Sequence, residues 1–260
     1  MNNLKSLMVA MSLVFSGAAF AGTITDTGAN AYWGGDNHGY GDVIGTSMYD
    51  ILGADARLDS GWLTVKIATN FAGHAGADTW ATPKGIGYGD LFLANAWNVA
   101  GNDAHHSGDN AKTGTVWNYG LNLDNRWSNT GGTFTLYQLN GATNAANIQN
   151  SESFMTCALV KSCYFRDGQE TAVKTGSNTV HNTGLTGKWT VNANKDLTFV
   201  IDVRGTALAN AGDLALHWGE TCQNDVIEGF VDVPEPSGIA LAGLGLGLLG
   251  LRRRRAKAAA

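Results

Sequence analysis

Apolar and polar residues alternate with a period of two along most of the chain. In WLTVKIATNF, Leu63, Val65, Ile67 and Phe71 fall on one face, and Thr64 and Lys66 on the other. DLTFVIDV repeats the pattern with Leu197, Phe199, Ile201 and Val203, and DLALHW with Leu214, Leu216 and Trp218. GTFTLYQL sets Phe134 and Leu136 against Tyr137 and Leu139. GDLFLA, TVWNYGL, GKWTVN and DVIEGFV are shorter runs of the same kind. Such alternation puts one face of a strand on a core and the other in water. The breaks are Gly, Asn, Asp and Ser clusters, such as GGDNHGYG and NTGLTG, which favour turns. Many short strands with weak helical periodicity predict an all-β body, an antiparallel β-sandwich or jelly roll.

The two ends do not follow this pattern. MNNLKSLMVAMSLVFSGAAFAG has one basic residue, Lys5, then an apolar run from Leu7 to Phe15, then Ala19-Phe20-Ala21. This is the layout of a secretory signal peptide cut after Ala21, which implies export through the Sec machinery and signal peptidase. At the other end, 14 uncharged residues from Gly238 to Leu251 precede Arg252, Arg253, Arg254 and Arg255. As a helix they span about 21 Å, short of a ~30 Å hydrocarbon core, so crossing needs snorkelling arginines or local thinning. The arginines keep the C-terminus cytoplasmic and the body outside. The expected organisation is a signal-peptide helix at 1–21, an exported β domain at 22–232 and a tail at 233–260. The tail divides into a motif at 233–237, a single transmembrane helix at 238–251 and a basic end at 252–260.

Charge changes the picture once the ends are set aside. Residues 22–232 carry 11 basic and 21 acidic side chains, a net charge near −10. A body this acidic repels phosphate backbones, so no nucleic-acid partner is expected. With 44% hydrophobic and 15% charged residues, the chain is not a disordered acidic coil. Export also bears on the three cysteines, Cys157, Cys163 and Cys222, since an odd count leaves one thiol over in an oxidising compartment. Closing the short loop CALVKSC is cheapest, which favours Cys157–Cys163; Cys222 pairing back to either is the alternative.

Candidate chemistry is sparse. There is no G-x-S-x-G elbow, no H-E-x-x-H helix and no Walker-type loop. His105 and His106, beside Asp103 and Asp109, read as a polar loop, and His217 as an ordinary sheet residue. Asp36 and Asp42, near Asn37 in a Gly-rich segment, are the first candidates for a calcium ion, because Ca²⁺ takes hard oxygen ligands from tight loops. No other cofactor is expected. Trp33, Trp80, Trp97 and Trp127 fall near expected loops, where exposed rings stack on sugar faces. A glycan hydrolase would need two carboxylates on one cleft, with Asp90, Glu220 and Glu228 as candidates. Without a catalytic motif, the expectation is a non-catalytic body.

Pro234 and Pro236 flank Glu235 and keep the chain extended ahead of the apolar run. VPEPSGIALAGLGLGLLGLRRRR resembles the PEP-CTERM sorting signal of Gram-negative bacteria, which joins a Pro-Glu-Pro motif, a short transmembrane helix and an Arg-rich end. The resemblance implies that Pro234, Glu235 and Pro236 are recognised by exosortase, a multi-spanning membrane enzyme. It implies that the helix and Arg252 to Arg255 hold the substrate until release. It implies a transient inner-membrane stage, then a cell-surface or extracellular location. Through the family's association with biofilm producers, it also implies exopolysaccharide as a partner. TNFAG, GYGDLFLA and CQNDVIEG make the body similar to one recurrent kind of PEP-CTERM cargo.

Overall fold

The hairpin of β2 (Ile51–Asp59) and β3 (Trp62–Thr69) shows how the alternation becomes structure. Leu58, Leu63, Val65 and Ile67 point inward and are buried, while Trp62, Thr64 and Lys66 point outward. A two-residue turn joins the strands, with Ser60 at φ 53 and Gly61 at φ 82. Both angles are positive, as in the primed turns whose twist matches that of the flanking strands. A Cβ at Gly61 would also lie 2.2 Å from Arg204 Cγ, so the Arg204 side chain would have to move to admit one.

The computed structural model describes residues 22–25, 43, 46–98, 114–155 and 168–233. The remaining described strands are β1 (Gly22–Thr25), β4 (Leu91–Ala94), β5 (Tyr119–Leu123), β6 (Gly131–Leu139), β7 (Ile148–Asn150), β8 (Glu170–Val173), β9 (Val180–Asn192), β10 (Asp196–Asp202), β11 (Asp213–Gly219) and β12 (Val226–Asp232). Ten of the twelve described strands form one antiparallel sheet in the order β1-β2-β3-β10-β9-β6-β5-β4-β11-β12. The all-β expectation holds.

Two separate sheets facing each other were expected, and one rolled sheet stands in their place. Its terminal strands meet: Gly22 lies against Val231 and Asp232, and Ile24 against Gly229. A Cβ on Gly22 would sit 2.5 Å from Val231 Cβ, so glycine is what lets β1 approach β12. Rolling the sheet until its edges touch covers backbone groups that an open edge would expose to other chains.

The interior holds the inward faces of both halves. Tyr49, Phe71, Tyr88, Trp189 and Phe199 run through it as a chain of ring contacts, with successive centroids 5.3, 5.3, 5.4 and 6.4 Å apart. Each large apolar side chain so buried contributes about 1.5–3 kcal/mol relative to exposure.

A second, smaller cluster lies on the outer side of the sheet. Phe92, Ala94, Trp117, Leu139, Val180 and Ala215 meet Ile148 and Val173 there. These last two come from the separate hairpin of β7 and β8. β4 and nearly all of β11 are therefore buried on both faces.

Candidate functional site

Three places bring together chemistry-bearing residues. The first is the rim where the sheet begins and ends. Gly22, the residue after the expected signal-peptide cut, sits beside Val231 and Asp232. Val233, which precedes Pro234, is buried, and its N–H donates to Gly212 O at 2.8 Å. The folded body is thus pinned up to the last residue before the Pro-Glu-Pro triplet.

The second place is a buried polar layer beside the β7–β8 hairpin. Asp90, from GYGDLFLA, is wholly buried and accepts four hydrogen bonds. Oδ1 takes Leu123 N at 3.0 Å and Arg126 Nη2 at 3.1 Å; Oδ2 takes Asn122 Nδ2 at 2.9 Å and Val173 N at 2.8 Å. Arg126 also donates from Nη1 to Tyr88 O at 2.9 Å and stacks over Phe154 at 5.2 Å. One carboxylate thereby ties together β4, the end of β5 and the segment following it, and β8.

His217 and Glu228 stand opposite each other on β11 and β12, both fully buried. His217 Nδ1 lies 3.0 Å from Glu228 Oε2, and Nε2 lies 2.8 Å from Glu170 O. A carbonyl only accepts, so Nε2 carries a proton; against an ionised Glu228 carboxylate Nδ1 carries one as well, and the imidazole is then cationic. Burial alone lowers its pKa; the Glu228 hydrogen bond and the charges of Glu170 and Glu228 outweigh burial and hold it above the ordinary value. Trp117 and Phe92 flank the ring, with centroids at 5.7 and 6.0 Å. His217 is a sheet residue as expected, but one whose outer face is covered and ion-paired.

Glu220 and Cys222 lie in the turn between these strands, also buried. Cys222 is a free thiol, pushed far up in pKa by burial first and by Glu220 second. Tyr49 donates to Asp78 and is likewise raised by burial first and by that bond second.

The third place is the outer face of β2, β3 and β10. Trp62 is 48% exposed, in register with Asp59 on one side and Asp202 on the other. The alternation that buries Leu63 already put Trp62 on the solvent side. The tryptophans expected to be exposed divide differently. Trp80 is exposed, with Nε1 donating to Asp78 Oδ1 at 3.0 Å. Trp97 packs at a tilt against Phe230, with centroids 5.6 Å apart, and Trp127 is half-buried beneath Lys84 with Nε1 on Gly85 O.

Several expectations fall outside the described residues: the calcium candidates Asp36 and Asp42, the Cys157–Cys163 pair, His105 and His106, Trp33, the Pro234–Pro236 motif and Arg252–Arg255. Among the described residues, no group of three or more His, Cys, Asp and Glu is placed to hold a metal ion. Among them, too, no helix is long and apolar enough to cross a membrane, and 238–251 lies outside them.

The body is thus an all-β unit formed from one nearly closed antiparallel sheet. Its last strand runs directly into a sorting signal: residues 232–255 match the PEP-CTERM protein-sorting motif. Such a signal marks an exported protein that is sorted by exosortase and anchored transiently in the membrane through its C-terminus. No curated protein and no solved structure matches the chain.

Proposed function

We propose that the protein is a cell-surface or extracellular-matrix component whose β body, residues 22–232, is a non-catalytic binding or structural module that associates with exopolysaccharide. The Sec machinery and signal peptidase deliver it across the membrane. Pro234, Glu235 and Pro236 present an extended strand to exosortase, while residues 238–251 and Arg252 to Arg255 hold the tail across the membrane with its end in the cytoplasm. Release of the tail then frees the body.

The sorting motif at 232–255, joined without a linker to a folded strand, carries this reading. The non-catalytic part draws support from the carboxylates named for a hydrolase. Asp90, Glu220 and Glu228 are all fully buried, and both Asp90 oxygens are taken up in holding strands together.

The test replaces Pro234, Glu235 and Pro236 by alanine. Export should continue, because residues 1–21 are unchanged, while uncut protein accumulates in the inner membrane. Fractionation and immunoblotting measure this. Release at the wild-type rate from the variant would overturn the sorting role of the triplet.

A further inference from the structure

The outer face of β2–β3 has features the sorting role does not use. A shallow groove of about 350 Å³ is lined by Arg57, Asp59, Ser60, Trp62 and Thr64. That is the lower end of the size range for small-ligand sites and accommodates one or two sugar rings rather than a long buried ligand. Trp62, nearly half exposed, offers its indole surface to this groove.

The polar groups around Trp62 are already held. Arg57 Nη2 donates to Asp59 Oδ2 at 2.6 Å, and Ser60 Oγ to Asp59 Oδ1 at 3.1 Å. In the turn after β10, Arg204 Nε donates to Asp202 at 2.8 and 3.0 Å. Gly61, lacking a side chain, makes room for the Arg204 stem over the turn. Asp59 and Asp202 are both in register with the indole, so one guanidinium–carboxylate pair lies in the groove and the second, Arg204–Asp202, lies at its edge at the end of β10.

We propose that this face is a binding site for a neutral sugar polymer, with a pyranose ring stacked on Trp62 and its hydroxyls hydrogen-bonded by the Arg57–Asp59 and Arg204–Asp202 pairs. The inference rests on the exopolysaccharide reading above and narrows it. A pyranose has one apolar C–H face, which matches an indole surface, and vicinal hydroxyls, which match paired donors and acceptors. Two cations balanced by two anions favour no ionic ligand at the site. The surplus acid of the body disfavours polyanions such as uronic-acid polymers over any distance the solvent leaves unscreened. The groove is open, so it takes residues within a polymer as readily as an end.

The full chain, purified in a zwitterionic detergent without a sugar headgroup, is run on affinity gels containing mixed-linkage β-glucan, dextran, alginate or the producing strain's own exopolysaccharide. Retardation by a neutral polymer is expected, weakened at least tenfold in Trp62→Ala and retained in Trp80→Ala. Unchanged thermal unfolding of Trp62→Ala excludes a folding defect, since half of that side chain already faces water. Equal retardation of wild type and Trp62→Ala, or binding to alginate alone, would overturn this site while leaving the exopolysaccharide reading in place. No retardation in any of the four polymers would overturn both.

Discussion

The sheet carries acidic residues in two settings. Asp90 and Glu228 lie in the polar layer by β7–β8 with no exposure to water, while Asp59 and Asp202 lie on the outer face with side chains 44% and 32% exposed. All four have a basic partner: Arg126, His217, Arg57 and Arg204 respectively. The difference is what happens when a partner is lost. In the buried layer no water can replace it, so the ion pair is tied to the fold. On the outer face water replaces it at little cost, so the groups remain available to a ligand. Basic partners alone do not mark a functional site; access separates the two settings.

The sharpest way to break this comparison is to remove one acid from each setting. Asp90→Ala deletes four acceptor contacts and leaves Arg126 buried without its countercharge, which should cost about 3–5 kcal/mol in urea unfolding. Asp59→Ala should cost about 0.5 kcal/mol or less. Similar costs for the two would mean that access does not divide them.

This contrast was only half legible in the sequence. The inward rows, Leu63-Val65-Ile67 and Leu197-Phe199-Ile201, follow from local alternation, and so does the outward position of Trp62. The tail is legible for the same reason, because its motif lies within a few consecutive residues. Asp90 is not legible, because its partners Asn122, Leu123, Arg126 and Val173 lie 32, 33, 36 and 83 residues away. Nor is the burial of both faces of β4, since the covering hairpin is made by residues far along the chain. One rolled sheet differs from two facing sheets in whether strand pairing runs unbroken from β1 to β12, and strand periodicity does not say which strands pair. His217 against Glu228 was within reach, since pairing DLALHW with DVIEGFV as a hairpin places them opposite.

The His217–Glu228 pair sharpens the comparison through pH. The folded pKa of His217 is raised, so its stabilisation is complete below the unfolded value of about 6.5 and is lost as pH rises through the folded value. Unfolding free energy should therefore fall above about pH 6.5, by at most about 1.4 kcal/mol per pH unit for one group. Cys222 is raised too, and its loss begins near the unfolded thiol value of about 8.5, so pH 6.5–8 isolates the imidazole. His217→Gln should flatten the slope in that interval. A slope equal to wild type would remove His217 from the account and leave the covered layer without a titrating member.

The smallest expected effect concerns the outer face. Arg204 holds the Asp202 carboxyl down to about 2, through side-chain hydrogen bonds first and then its backbone N–H. The sign is that of a depressed acid: the favourable interaction is present above the unfolded value near 3.9 and is lost as pH falls towards 2. Because the group faces solvent, the shift should show in titration and hardly in folding. Carboxyl-carbon NMR should place the Asp202 midpoint near 2 in the wild type and higher in Arg204→Gln, still below the unfolded value because the backbone N–H of residue 204 keeps donating, with the urea midpoint at neutral pH almost unchanged. A large loss of stability in Arg204→Gln would put Asp202 with Asp90, as a carboxylate held for the fold. A titration shift without that loss leaves a surface acid kept ionised and oriented beside Trp62, where a hydroxyl-bearing ligand can reach it.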